Sequence, residues 1–279
     1  MRLDPAGGGT VLSLTYGNQP LLREAIPGSD DPRDRAAFPL LPFSGRIDQG
    51  CFRIADQIIE LEKNMPPEPH AIHGQGWQSV WQVAQQSAER AELQLHYAGQ
   101  DWPWAYAATQ TFELDDNRVR ISLTLTNQAD RPMPAGLGWH PYFPHPENAR
   151  ITAPVEAYWA NSADTISLAP SQPSWLAELA MGIPVAALNL DNAFSVGAGE
   201  VRIEWPATGI ELSMQSSQNL GHLIIYTPPG EPYFCAEPVS HSPNCLNSAL
   251  APEQTGKRFL DPGATFTASI ELGVRRLRS

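Results

Sequence analysis

Over residues 118–127, RVRISLTLTN, apolar and polar side chains alternate without a break: Val119, Ile121, Leu123 and Leu125 interleave with Arg120, Ser122, Thr124 and Thr126. Successive side chains of a strand point to opposite faces, so this run predicts a strand with one buried and one wet face. The same pattern returns in AELQLHY (91–97), GIELSM (209–214) and TFTASIELGV (265–274), and more briefly at Leu12-Leu14-Tyr16 and Val201-Ile203-Trp205. HLIIY (222–226) is apolar on both faces and bounded by Pro228-Pro229-Gly230, which predicts a strand covered on both sides. Only PSWLAELAM (173–181) has helical spacing. Many short strands without strand–helix–strand spacing predict an all-β protein, a large antiparallel sandwich or barrel with very little helix.

The chain of 279 residues contains no internal repeat and no linker, so a single domain over 1–279 is expected. Its 27 prolines and 21 glycines are scattered among apolar runs, as turns of a globular fold are. Two proline-dense stretches, GSDDPRDRAAFPLLPFSGR (28–46) and NMPPEPHAIHG (64–74), are expected to be ordered loops crossing a sheet edge. Loops of that length usually carry function.

The net charge of -12 argues against nucleic acid and against anionic membrane surfaces as partners, since the basic residues cluster only at Arg275-Arg276-Leu277-Arg278. A neutral small molecule fits better. Three cysteines, Cys51, Cys235 and Cys245, match neither a disulfide framework nor a metal-site spacing. With no apolar leader visible, a cytoplasmic location is expected.

Three stretches can carry chemistry. In PHAIHGQGW, His70 and His73 are three residues apart, but the surrounding prolines and Gly74 forbid a helix, and no third ligand is near, so no metal is expected. Gly74 and Gly76 allow close approach of a ligand beside His73. In GLGWHPYF, His140 stands among Trp139, Tyr142 and Phe143. Such an imidazole is either a core residue or an acid/base group whose pKa its surroundings tune, with aromatics that hold the apolar faces of a pyranose. In YFCAEPVSHSPNCLN, Glu237 ends an apolar run, where a carboxylate needs a partner or a task. Arg46 in FSGRIDQGCF offers a rigid fork of donors, and Asp191 in LNLDNAF pairs an acceptor with the Phe194 ring. Trp77, Trp102 and Trp104 are candidates for either a pocket wall or the core.

Taken in order, Arg46 in GRIDQGCF, His73 in AIHGQGW, His140 in GWHPYF, Asp191 in LDNAF and Glu237 in CAEP resemble the aldose 1-epimerase (galactose mutarotase) family. The resemblance spans about residues 40 to 275. Gly45 stands where classical members have Asn before the arginine, His70-Ala71-Ile72-His73-Gly74-Gln75 where they have Asn-x-Leu-His-Gly-Gly, and Trp139 where they often have Asn before the histidine. The resemblance implies a galactose mutarotase-like supersandwich that interconverts the α and β anomers of a monosaccharide, with no cofactor. It implies Glu237 as base at O1, His140 as acid at O5, and His73 as support for the ring oxygen. Arg46, Asp191, Trp139 and Tyr142 would contact substrate. Acid and base would stand on opposite sides of the bound sugar, in a monomer or a dimer. Competing functions are a hexose-6-phosphate 1-epimerase, a glycoside hydrolase or lyase using Glu237 and Asp191, and a non-catalytic sugar-binding protein.

Overall fold

The computed structural model describes residues 1–277; Arg278 of the basic cluster lies outside the described residues. Two nine-stranded sheets dominate, and the strand pairings within them are antiparallel. One, the backing sheet, centres on Arg90–Tyr97, Tyr106–Asp115, Arg118–Asn127, Thr265–Arg276 and Ile210–Ser216. The other, the site sheet, places Ala37–Leu40, Gly138–Pro144, Tyr233–Val239, His222–Tyr226, Asp191–Val196 and Val155–Asn161 side by side in that order. Among the described residues α-helix is confined to Leu176–Met181 and Pro252–Thr255, beside five single 3-10 turns, and no described helix is long and apolar enough to cross a membrane.

The backing sheet follows the alternation closely. Val119, Ile121, Leu123 and Leu125 enter the core between the sheets. On the wet face the hydroxyls of Thr124 and Thr267 pair at 3.1 Å and those of Thr126 and Thr265 at 3.0 Å.

The site sheet is different, because both of its faces are covered. Trp139, Phe143, Leu223, Ile225 and Phe234 face the backing sheet, while Phe38, Tyr142, Ile224 and Cys235 form a second apolar cluster on the opposite face. His222–Tyr226 is accordingly buried along almost its whole length. This second face is where the loops close over a cavity.

One expectation is corrected here. The proline-dense stretch 28–46 is not all loop, since Ala37–Leu40 is a fully buried strand inside the site sheet. Four residues containing Pro39 show no alternation. The proline is tolerated because the neighbour Thr10–Ser13 reaches this strand only at Val11–Ala37, leaving Pro39 a ladder on one side. The stretch 64–74 is loop except for Ala71–Ile72, which pairs with Arg46–Ile47.

Candidate active site

Cross-strand register assembles the site. Phe38 lies opposite His140, Glu237 opposite Ile224, and Ile224 opposite Ala193. Gly138 pairs with Val239 and Tyr142 with Cys235, so the same register sets His140 across from Glu237. Pro141 and Pro238 interrupt the ladder on either side of that pair. One row of side chains on the second face therefore reads Phe38, His140, Glu237, Ile224, Ala193. The row beside it reads Tyr142, Cys235, Tyr226, Asp191.

All of these residues except Cys235 line a cavity of about 400 Å³. His73, His140, Glu237, Arg46, Asp191 and Tyr142, separated by up to 191 positions in sequence, all line it. Trp139 does not. It precedes His140 on the strand, so the alternation that turns His140 to the cavity turns Trp139 into the core between the sheets, where it is fully buried. Trp77 lines the cavity, stacking on Phe38 at 5.2 Å. Trp102 and Trp104 pack instead with Phe43 and Phe52 in the core. His70 is also structural: its Nδ1 accepts from Gln49 N–H at 3.0 Å and its Nε2 faces Asp164 O at 3.0 Å.

At the floor, His140 Nε2 lies 3.2 Å from Glu237 Oε1, with the two residues 7% and 3% exposed. The Phe38 ring stacks on the imidazole at 4.4 Å. Burial drives both members towards neutrality: desolvation lowers His140 to about 3 and pushes Glu237 well above the usual carboxylate range. Asp191 raises Glu237 further, and Arg46 opposes it. A carboxylic acid and a neutral imidazole hold the same protons as a carboxylate and an imidazolium, so the pair moves between these forms by transfer of one proton along the 3.2 Å contact.

His73 meets the His140 ring edge-on at 5.4 Å. Its backbone is left-handed, with φ 62, followed by Gly74 at φ 69, where a Cβ would come within 2.2 Å of Leu41 O. Two bonds to one residue hold the loop: His73 N–H donates to Gly45 O at 2.9 Å, and Gly45 N–H donates to His73 Nδ1 at 3.2 Å. Nδ1 is therefore an acceptor without a proton. Burial keeps the ring neutral, well below 6.5, so its proton resides on Nε2, as a fixed donor.

Arg46 bridges two carboxylates, with Nε 3.3 Å from Glu68 Oε2 and Nη2 3.4 Å from Asp191 Oδ2. Glu68, inside the PPEP run, showed no sequence signal of this role. Arg23 belongs to no motif either. Its guanidinium lies 3.9 Å over the Tyr142 ring and 4.5 Å from that of Tyr233, and it donates to the carbonyls of Arg33 and Arg35. Arg23 and Arg33 both line the cavity. Cys235, two residues before Glu237, belongs to the buried cluster under this face and does not line the cavity, and His241 accepts from Ser44 N–H at 3.2 Å outside it.

A mostly antiparallel supersandwich with a buried acid/base pair on its outer sheet face defines a class of protein. Within that class, the aldose 1-epimerase family profile matches residues 5–273, and the chain belongs to this family. It is 29% identical over 283 residues to the uncharacterized protein YphB of Escherichia coli (strain K12), covering 97% of this chain and 94% of that one. A galactose mutarotase-like protein from Clostridium acetobutylicum shares the fold with TM-score 0.90 at 19% identity, over 99% of this chain and 92% of that chain. The galactose 1-epimerase of Lactobacillus acidophilus NCFM shares it with TM-score 0.80 at 14% identity, over 98% and 90%.

Proposed function

We propose that this protein is a mutarotase of the cytoplasm, a single-domain enzyme that interconverts the α and β anomers of a free aldose. The observation that carries this reading is the His140–Glu237 pair, 3.2 Å apart at the floor of a sugar-sized cavity. Mutarotation needs a proton taken from the C1 hydroxyl and one given to the ring oxygen. Both oxygens are bonded to C1, so acid and base need not stand on opposite sides of the sugar, as expected above; two side chains in contact can serve both. The three free cysteines suit a reducing compartment.

With the pair as carboxylate and imidazolium, Glu237 takes the O1 proton while the C1–O5 bond breaks and its electrons pass to O5. His140 protonates O5. The sugar is then an open-chain aldehyde, and the pair has become carboxylic acid and neutral imidazole, the form that burial favours. Rotation about C1–C2 presents the other carbonyl face. His140 then takes the O5 proton, O5 attacks C1, and Glu237 returns a proton to O1. The His73 Nε2–H donates to the oxygen on which charge develops. Arg46 and Asp191 orient hydroxyls, and Tyr142 contributes to the wall.

Saturation-transfer NMR on equilibrated aldoses tests this. Exchange above buffer that disappears in Glu237→Gln and in His140→Asn supports it. Sugar binding with no exchange for any aldose would instead make the protein a carbohydrate-binding module. One observation favours a second reading: Arg23 lines the same cavity, as an anionic substituent on the sugar would require, although the neighbouring Arg33 is paired with Asp31. Faster exchange of a hexose 6-phosphate than of the free hexose would replace the free-aldose reading with that one.

A further inference from the structure

We propose that His140, Cys235 and Glu237 form a site for one soft divalent cation of the zinc class, and that a cation held there blocks the sugar chemistry. The blocking half rests on the mutarotase reading; the binding half does not.

The proposed reaction has no use for Cys235, yet it stands two residues before Glu237 on the same strand, in the buried cluster of the same face. Ligating atoms of His140, Cys235 and Glu237 all lie within 4.8 Å of one another, and His140 and Glu237 are already at 3.2 Å. Donors around a tetrahedral zinc ion, bound at about 2.0–2.3 Å, are separated by roughly 3.5 Å. Binding therefore draws the donors together by up to about 1.3 Å. Thiolate, imidazole and carboxylate together are a donor set that zinc-class ions prefer, and hard cations such as Mg²⁺ do not. His140 and Glu237 line the cavity, which leaves that side for a fourth ligand.

Charge balance supports the site. All three residues are buried, so a cation among them is shielded from water and needs its charge matched by its ligands. A divalent cation displaces one proton from sulfur and one from the carboxyl, so two positive charges enter and two leave. The net charge of a desolvated region is then unchanged. The groups facing this region are Arg23, Arg46, Asp191, His73, Tyr142, Tyr226 and Tyr233.

Titration of the whole protein with Co²⁺ and Zn²⁺ tests the binding half. Expected are a thiolate-to-cobalt charge-transfer band in the near ultraviolet, one equivalent of zinc by calorimetry, and release of two protons. Zinc affinity should therefore rise with pH. Cys235→Ala should abolish the band and weaken zinc binding by at least about a hundredfold, whereas Cys51→Ser should not. A band that persists in Cys235→Ala, or no zinc binding at micromolar concentration, overturns the site. If Cys235→Ala does not fold, zinc-edge X-ray absorption of the wild type decides: one sulfur at about 2.3 Å supports the site, and no sulfur overturns it. For the blocking half, each protein is its own control. Zinc should suppress anomer exchange in the wild type and spare it in Cys235→Ala; full exchange with the site loaded overturns it. A wild type with no exchange for any sugar refutes the mutarotase reading, and the blocking half with it, while the cobalt spectrum still decides the binding half.

Discussion

Replacing His140 by Asn should alter the pH dependence of folding. In the folded protein, desolvation beneath Phe38 and Tyr142 holds the imidazole down from 6.5 to about 3. A depressed value on a cationic group means that the unfolded chain takes up the proton first. The stability linked to neutral His140 is therefore fully present above about 6.5 and is lost as pH falls towards about 3. Between about pH 7 and about pH 5 the loss is about 2 kcal/mol, because the unfolded imidazole titrates there while the folded one stays neutral. Any folded-state value below about 4 gives the same figure. Glu237 has the opposite sign: its raised carboxyl binds a proton first in the folded state, so its contribution is present below 4.5 and falls as pH rises. The causes that raise it, burial and Asp191, stay in the variant, so most of its contribution cancels in their difference. Urea unfolding of wild type and His140→Asn at the two pH values measures that difference. The wild type should lose about 2 kcal/mol more than the variant on acidification. Equal losses would refute the reasoning, and would mean that the folded pair already rests as carboxylate and imidazolium.

Glu237→Gln should reduce anomer exchange by about 10²–10⁴-fold. Near pH 8 its thermal midpoint should match or exceed that of the wild type, because the amide can still meet His140 Nε2 and a buried carboxyl is gone; a lower midpoint would contradict this. Gly74→Ala places a Cβ 2.2 Å from Leu41 O at a φ of 69, so the His73 loop must shift. The expected loss is at least about 1–2 kcal/mol by thermal unfolding, together with most of the exchange activity. Leu125→Ala removes a fully buried side chain from the core between the sheets and should cost about 2–5 kcal/mol in urea, with activity per folded molecule unchanged.

Arg90–Tyr97, Arg118–Asn127, Val201–Trp205, Ile210–Ser216 and Thr265–Arg276 of the backing sheet were legible because a half-wet strand writes its geometry as alternation, whereas Tyr106–Asp115 between the first two was not, since its inward positions include Ala108 and the polar Gln110. Gly138–Pro144 was legible as a motif but not as a surface: Trp139 and His140 are equally aromatic neighbours, and nothing local says which of them faces a cavity. Ala37–Leu40 left no trace of a strand, since a segment covered on both faces has no wet positions to mark its period, and Pro39 removed the remaining cue. Arg23 and Glu68 reach the site by contacts made across the chain, to Tyr142 and Arg46, and carry no spacing that could announce them.

By itself, the sequence determined the all-β class, the antiparallel character and the residue types available for acid/base chemistry, because period and side-chain chemistry are local properties. Tertiary structure decided which of those side chains meet. Whether His140 faces Glu237 or the core depends on the register between strands nearly a hundred residues apart, and their pKa values depend on desolvation by Phe38, Tyr142 and the loop carrying His73. Register and burial are properties of the packed sheets, set by the whole chain at once.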